Sequence, residues 1–281
     1  MKHLLTALFV TFISLASIAQ DTLWINTGSW YQSYDTLQVM RLNSTPQFDT
    51  SNVAISLDLG QTLPLVIINN DSENHVFNIE GLDGFNTELV AGEATEIELP
   101  SLEFGTYRYY ASDERADIMG LAGVIKSGIE TDIQFHWNLD EWMPSMVDSV
   151  STGAPIDEDV DYLPKYFSIN SRTFPNTEND PNAHISLNLG DTCTISIANS
   201  GMMDHVFHFH GFHILWLSST QQTERVGWDK DTVPMKKGEA LTLQLVANQL
   251  GMYPVHNHNL IAVTNAGFYP GGMITMINVM P

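Results

Sequence analysis

Short runs of apolar residues, many of them alternating with polar ones, recur along most of the chain. Leu65-Val66-Ile67-Ile68, Glu96-Ile97-Glu98-Leu99 and Leu241-Thr242-Leu243-Gln244-Leu245 are examples. A period of two places successive side chains on opposite faces of an extended segment, so these runs predict strands. Leu59-Gly60-Gln61, Ala91-Gly92-Glu93 and Lys237-Gly238-Glu239 supply the turns between them. No long stretch carries the 3.6-residue period of an amphipathic helix. The pattern predicts an all-β protein built as a β-sandwich or Greek-key barrel.

The pattern also repeats. Leu57-Asp58-Leu59-Gly60 returns as Leu187-Asn188-Leu189-Gly190, and Asn74-His75-Val76-Phe77 as Asp204-His205-Val206-Phe207, both at an offset of 130. Gly92-Glu93-Ala94 returns as Gly238-Glu239-Ala240, and Gly105-Thr106-Tyr107 as Gly251-Met252-Tyr253, at an offset of 146. Consistent offsets over four segments predict two equivalent domains, the second with 16 extra residues between Phe212 and Lys237. The division falls after Ser127-Gly128, giving domains over residues 21–128 and 129–281. The second opens with a strand near Phe135 to Trp142, and Val147 to Pro164, rich in Ser, Asp, Gly and Pro, reads as a connecting loop.

Residues 1–20 read as a signal peptide: Lys2, an apolar stretch from Leu4 to Ile18, and Ser17-Ile18-Ala19 as the cleavage site. This implies a secreted or periplasmic protein. The formal charge of −22 argues against nucleic acid and anionic membrane as partners, which both require a basic face. With the single cysteine Cys193 no internal disulfide forms, and its place in an alternating run predicts a buried thiol.

Histidines supply the candidate chemistry. His205, His208, His210 and His213 form one run, and His256 and His258 another. On a strand, His208 and His210 share a face, as do His256 and His258. If the two strands are neighbours, four imidazoles meet in one volume and make a metal site. Imidazole suits copper, zinc, iron or nickel, so the ligand type does not choose among them.

These runs resemble the multicopper oxidases. Their copper-bearing domain carries H-P-x-H-L-H-G-H and G-x-W-x-x-H-C-H-x-x-x-H; here stand His205-Val206-Phe207-His208-Phe209-His210-Gly211 and Gly251-Met252-Tyr253-Pro254-Val255-His256-Asn257-His258. Lys230-Asp231-Thr232-Val233 and Tyr166-Phe167-Ser168-Ile169-Asn170 are also similar to that family. The resemblance implies cupredoxin-like domains, copper as cofactor, and His208, His210, His256 and His258 as ligands of the type 2 and type 3 kind, with His205 from the type 1 set. Asn257-His258-Asn259-Leu260-Ile261 is similar to copper nitrite reductases, two-domain homotrimers in which this histidine ligates copper across a subunit interface. That likeness makes His205 the candidate catalytic residue and a homotrimer the expected assembly.

The chain departs from the family at the electron-entry copper. Asn257 stands at the cysteine position and Ala262 at the second type 1 histidine. The first domain has Asn78 and Glu80 opposite His208 and His210, and Tyr110 and Ser112 opposite His256 and His258. Three functions follow: a copper oxidoreductase of reduced form serving a small-molecule reductant or oxidant, a non-catalytic copper-handling protein, or a barrel pair with relic histidines. Because a blue copper centre requires a thiolate, the copper-loaded protein is expected to lack intense blue absorption. An intense blue band in its visible spectrum contradicts the reading of Asn257.

Overall fold

The computed structural model describes residues 21–157 and 159–281, so the leader expected over residues 1–20 lies outside the described residues. The first half contributes β1 (Asp21–Tyr31), β2 (Thr36–Asn43), β3 (Ile55–Leu57), β4 (Leu63–Asn69) and β5 (His75–Ile79). It continues with β6 (Asn86–Leu89), β7 (Ala94–Leu99), β8 (Gly105–Ala111), α1 (Glu114–Ile118) and β9 (Ala122–Ser127). The second half opens with β10 (Gln134–Trp142), α2 (Pro144–Ser151), β11 (Tyr166–Ile169), β12 (Ile185–Asn188), β13 (Thr192–Asn199) and β14 (His205–Phe209). Then come β15 (Ile214–Ser219), β16 (Asp229–Lys230), β17 (Thr232–Met235), β18 (Ala240–Val246), β19 (Gly251–Asn257) and β20 (Ile274–Met280).

Four sheets result, and the duplication is visible in their order. In the first half, β2-β1-β4-β7 faces β3-β9-β8-β5-β6 across a core that includes Ile25, Leu65, Ile67, Phe77, Ile97 and Tyr109. In the second, β11-β10-β13-β18-β15-β16 faces β12-β20-β19-β14-β17 across a core with Trp137, Ile195, Ile197, Phe207, Phe209 and Leu243. The order β2-β1-β4-β7 matches β11-β10-β13-β18, and in both the first long strand runs parallel to its inner neighbour. The extra residues of the second half build β15 and β16 on the free edge of β18. The architecture is two tandem cupredoxin-like β-sandwich domains. Among the described residues no helix is long and apolar enough to cross a membrane.

One expectation needs correction. The loop expected over 147–164 starts as helix, since α2 extends to Ser151. Pro144 stands in its first turn, where a missing N–H costs nothing, and Val147 and Val150 are buried. Eight residues are too few for a helical period to stand out in a Ser- and Asp-rich stretch.

The domains meet along β8, which lies against β13, β15 and β18. Ser218 Oγ donates to Thr242 Oγ1 at 2.8 Å, and Thr242 Oγ1 lies 2.7 Å from Thr106 Oγ1. Nearby, Trp30 packs against Trp142 and Tyr166, with ring centroids 5.3 and 6.3 Å away. Arg41 is fully buried there, donating to the carbonyls of Thr50, Met40, Met119 and Gly120 and lying 5.0 Å from the Trp142 ring. Gly120 fits this junction because a Cβ would fall 2.3 Å from Trp142, and its φ of +85° suits glycine.

Cys193 is buried in the second core, and burial pushes its thiol up to about 12. Ile195, also fully buried, tests that core: Ile195→Ala is expected to cost ~2–5 kcal/mol in denaturant unfolding. Leu189→Ala, in a turn and half exposed, is expected to stay within about 0.5 kcal/mol of the parent. Equal losses would contradict this placement of the core.

Candidate metal centre

Strand β14 alternates strictly: His205, Phe207 and Phe209 are buried, while Val206 and His208 face outward, with His210 just beyond the strand. In β19, Val255 and Asn257 are buried and His256 faces outward. The strands pair antiparallel with Phe207 opposite Asn257, His208 opposite His256, and Phe209 opposite Val255. Residues directly opposite share a face, so the register brings His208 and His256 together. His210 and His258 flank them. Ring centroids are 4.5 Å apart for His208–His210, 5.8 Å for His208–His256, 5.1 Å for His210–His256 and 6.0 Å for His208–His258.

The ring nitrogens are oriented from behind. His256 Nδ1 lies 3.0 Å from the Asn257 carbonyl oxygen, which accepts only a proton, so Nδ1 carries it and Nε2 presents a lone pair. His256 Nε2 is 3.0 Å from His210 Nε2. Two nitrogens each about 2.0–2.1 Å from one ion stand at about this separation, so the pair fits a shared metal. His208 Nδ1 faces Thr232 Oγ1 at 3.4 Å and Asp231 Oδ2 at 3.9 Å, the kind of backing that turns Nε2 toward a ligand. Burial, followed by the neighbouring rings of His208 and His256, lowers the basicity of His210 and favours the neutral, ligating form. Among the described residues no three His, Cys, Asp or Glu side chains are already closed into an ion-holding set. The donor set fits copper; drawing a third nitrogen in takes side-chain rotation, which the exposed ring of His258 permits. His213 stands apart, its Nδ1 4.0 Å from Asp229.

His205 points the other way. It is buried, with Nε2 3.0 Å from Glu141 Oε2 and Nδ1 2.9 Å from Asn257 Nδ2. Asn257 Nδ2 can only donate, while its Oδ1 accepts from the Asn259 N–H, so His205 Nδ1 accepts and Nε2–H donates to Glu141. The other Glu141 oxygen takes the backbone N–H groups of Met202 and Met203, and Tyr162 donates to the Glu141 carbonyl at 3.1 Å. Asn257 Nδ2 also lies 3.5 Å from Met273 Sδ, and Ala262 is buried. The interior behind the four rings is therefore closed by hydrogen bonds, and Cys193 lies in the opposite sheet. Glu141 was not anticipated from sequence. Its only signal is a pair of adjacent acids, Asp140-Glu141, between Leu139 and Trp142 at the end of an alternating strand.

The first domain has the same register with other chemistry. Asn78 pairs with Tyr110 and Phe77 with Ala111, as His208 does with His256 and Phe207 with Asn257. Glu80, the counterpart of His210, is held by Arg108 Nη1 at 3.0 Å, and Arg108 lies over the Tyr110 ring at 4.4 Å. His75, the counterpart of His205, is buried with Nδ1 3.1 Å from Asp113 and Nε2 3.1 Å from Asp71.

Residues 157–270 match the sequence profile of the multicopper oxidases. Over that stretch the chain is similar to the multicopper oxidases. Multicopper oxidases are copper proteins, and solved structures of copper proteins share this chain's fold. The blue copper oxidase of Nitrosomonas europaea superposes with a TM-score of 0.75 at 16% identity, over 92% of this chain and 85% of that one. The copper nitrite reductase of the same organism gives 0.70 at 15% identity, over 93% of each chain. The laccase of Botrytis aclada gives 0.70 at 16% identity over 90% of this chain, which spans about half (51%) of that larger protein. At these identities the likeness is one of fold. No curated protein matches the chain in sequence.

Burial alone would lower the basicity of His75, but Asp113 and Asp71 more than offset it, so its pKa lies above the usual 6.5. A raised folded value stabilises the fold fully below the unfolded pKa and is lost as pH rises through the folded one. Unfolding free energy is expected to fall as pH climbs above 6.5, and His75→Gln is expected to flatten that limb. Parallel profiles for the two proteins would contradict a charged His75.

Proposed function

We propose that this protein is a secreted or periplasmic copper oxidoreductase of reduced form. In this reading His208, His210, His256 and His258 hold copper on the outer face of β14 and β19, and the domain from about residue 129 onward carries all the chemistry. The observation that carries the reading is the His208–His256 register together with the 3.0 Å approach of His210 Nε2 to His256 Nε2. Copper bound there supplies one-electron chemistry. Thr232 and Asp231 turn His208 toward the ion, and the Asn257 carbonyl fixes the His256 tautomer. His258, the most exposed of the four, leaves a side open to a small-molecule reductant or oxidant.

No type 1 centre feeds this site. Asn257 offers an amide where a thiolate is required, and its hydrogen bond to His205 occupies the nitrogen a metal would use. His205 then acts as a positioning residue: it anchors Asn257, which stands between His256 and His258, and is not itself a ligand. Electrons pass directly from a small reductant to copper held by the four histidines, and from there to a small oxidant such as oxygen or a nitrogen oxide. A homotrimer would set a partner surface over the open side of the rings.

A copper-handling role without turnover is the second reading, favoured by the same closure of the interior, which removes the electron-entry route. Copper titration with metal analysis, electron paramagnetic resonance and a turnover assay on one sample separates the two. The proposal expects about one copper per chain with a type 2 signal, oxidation of a small reductant, and loss of tight binding in His208→Ala/His256→Ala. Tight copper without turnover favours copper handling. Unchanged stoichiometry in the double variant contradicts the four-histidine site.

A further inference from the structure

A second concavity lies between the domains, away from the histidine cluster. It has a volume of about 350 Å³, within the range of small-molecule pockets. Asp49 and Ser51 line it from the first half, and His136, Arg172, Asp180 and Asn182 from the second. Three features single it out.

The first is His136. Its neighbours on β10, Phe135 and Trp137, are buried in the core, so alternation turns His136 outward into the cleft. Among the described residues its imidazole makes no hydrogen bond, although its backbone carbonyl takes one from Asn170 Nδ2 at 2.9 Å. Burial, and then the charge of Lys126, push its pKa down to about 4 against the pull of Asp180. The ring is therefore neutral, with one N–H donor and one nitrogen acceptor left over. His136 is half-buried and lines the cleft, so a molecule lodged there can pair its ring nitrogens.

The second is the segment 172–184. Arg172 Nε is buried without a hydrogen bond, 3.5 Å from Asp180 Oδ2, and both residues line the cleft. The third is the backbone between these groups. Asn170 and Ser171 hold consecutive left-handed conformations, φ 52° and 60°, which non-glycine residues adopt at a cost. Both domains enforce them: Ser51 Oγ donates to the Asn170 carbonyl at 2.9 Å, Trp30 Nε1 to the Ser171 carbonyl at 2.8 Å, and Asn138 N–H to Asn170 Oδ1 at 2.8 Å.

We propose that this interdomain cleft binds a neutral, hydroxyl-rich small molecule of sugar size. The carboxylates of Asp49 and Asp180 accept, the Arg172 guanidinium donates, and the Asn182 amide and His136 ring do both. Hydroxyl groups, which donate and accept at once, match such a mixture. Two carboxylates in a chain of charge −22 disfavour an anion, and the pairing of Arg172 with Asp180 leaves Asp49 alone to attract a cation. Val53 and Pro181 are the only apolar residues of the lining, too few for an apolar ligand.

The test uses the full chain with ¹³C-labelled histidine, titrated with D-glucose, D-galactose, D-mannose and trehalose, and with citrate and spermidine as charged controls. At least one sugar is expected to shift the His136 ring signal and leave those of His208 and His256 in place, with neither control doing so. His136→Phe is expected to weaken that sugar by at least about tenfold in calorimetry. Asn182→Ala, a change in a surface loop, is expected to weaken it in the same direction and serves if the first variant fails to fold. A His136 signal that no sugar moves, one that citrate or spermidine moves instead, or unchanged affinity in the variants overturns the proposal.

Discussion

The antiparallel pairing of β14 with β19 is the constraint on which the second domain depends. Phe207, Phe209 and Val255 must face the core, and this fixes the register at one value. A slip by one residue would send these side chains into solvent and the imidazoles into the core. The hydrophobic effect therefore sets the histidine geometry: the same alternation that buries the phenylalanines lines up His208 with His256. The site costs the fold little, because its ligands occupy positions the core does not use.

The duplicated frame shows what can change on such a scaffold. Both domains keep the pairing and the inward aromatic, yet the outer face carries imidazoles in one and an Arg108–Glu80 ion pair in the other. The inner histidine is retained in both and satisfied differently, by Asp113 and Asp71 around His75 and by Glu141 and Asn257 around His205. In each case a buried imidazole has both nitrogens matched, as burial requires.

Local pattern made much of this legible. Strands, the repeat and the convergence of two histidine pairs follow from a period of two and from offsets that can be counted. The partners of His205 do not, since Glu141 lies 64 residues away and meets it only because β10 and β14 belong to facing sheets. His136 looks like any polar position on an alternating strand until the second domain's loop and the first domain's β2–β3 connection close around it. The helix α2 was hidden by its brevity, and β15 and β16 by falling where the repeat offered no template.

The most direct test of the central claim is anomalous diffraction at the copper edge from crystals of the copper-loaded full chain. The account predicts copper among the rings of His208, His210, His256 and His258, and none within bonding distance of His205. Copper seated between His205, Asn257 and Met273, with no peak beside His208 and His256, would contradict it.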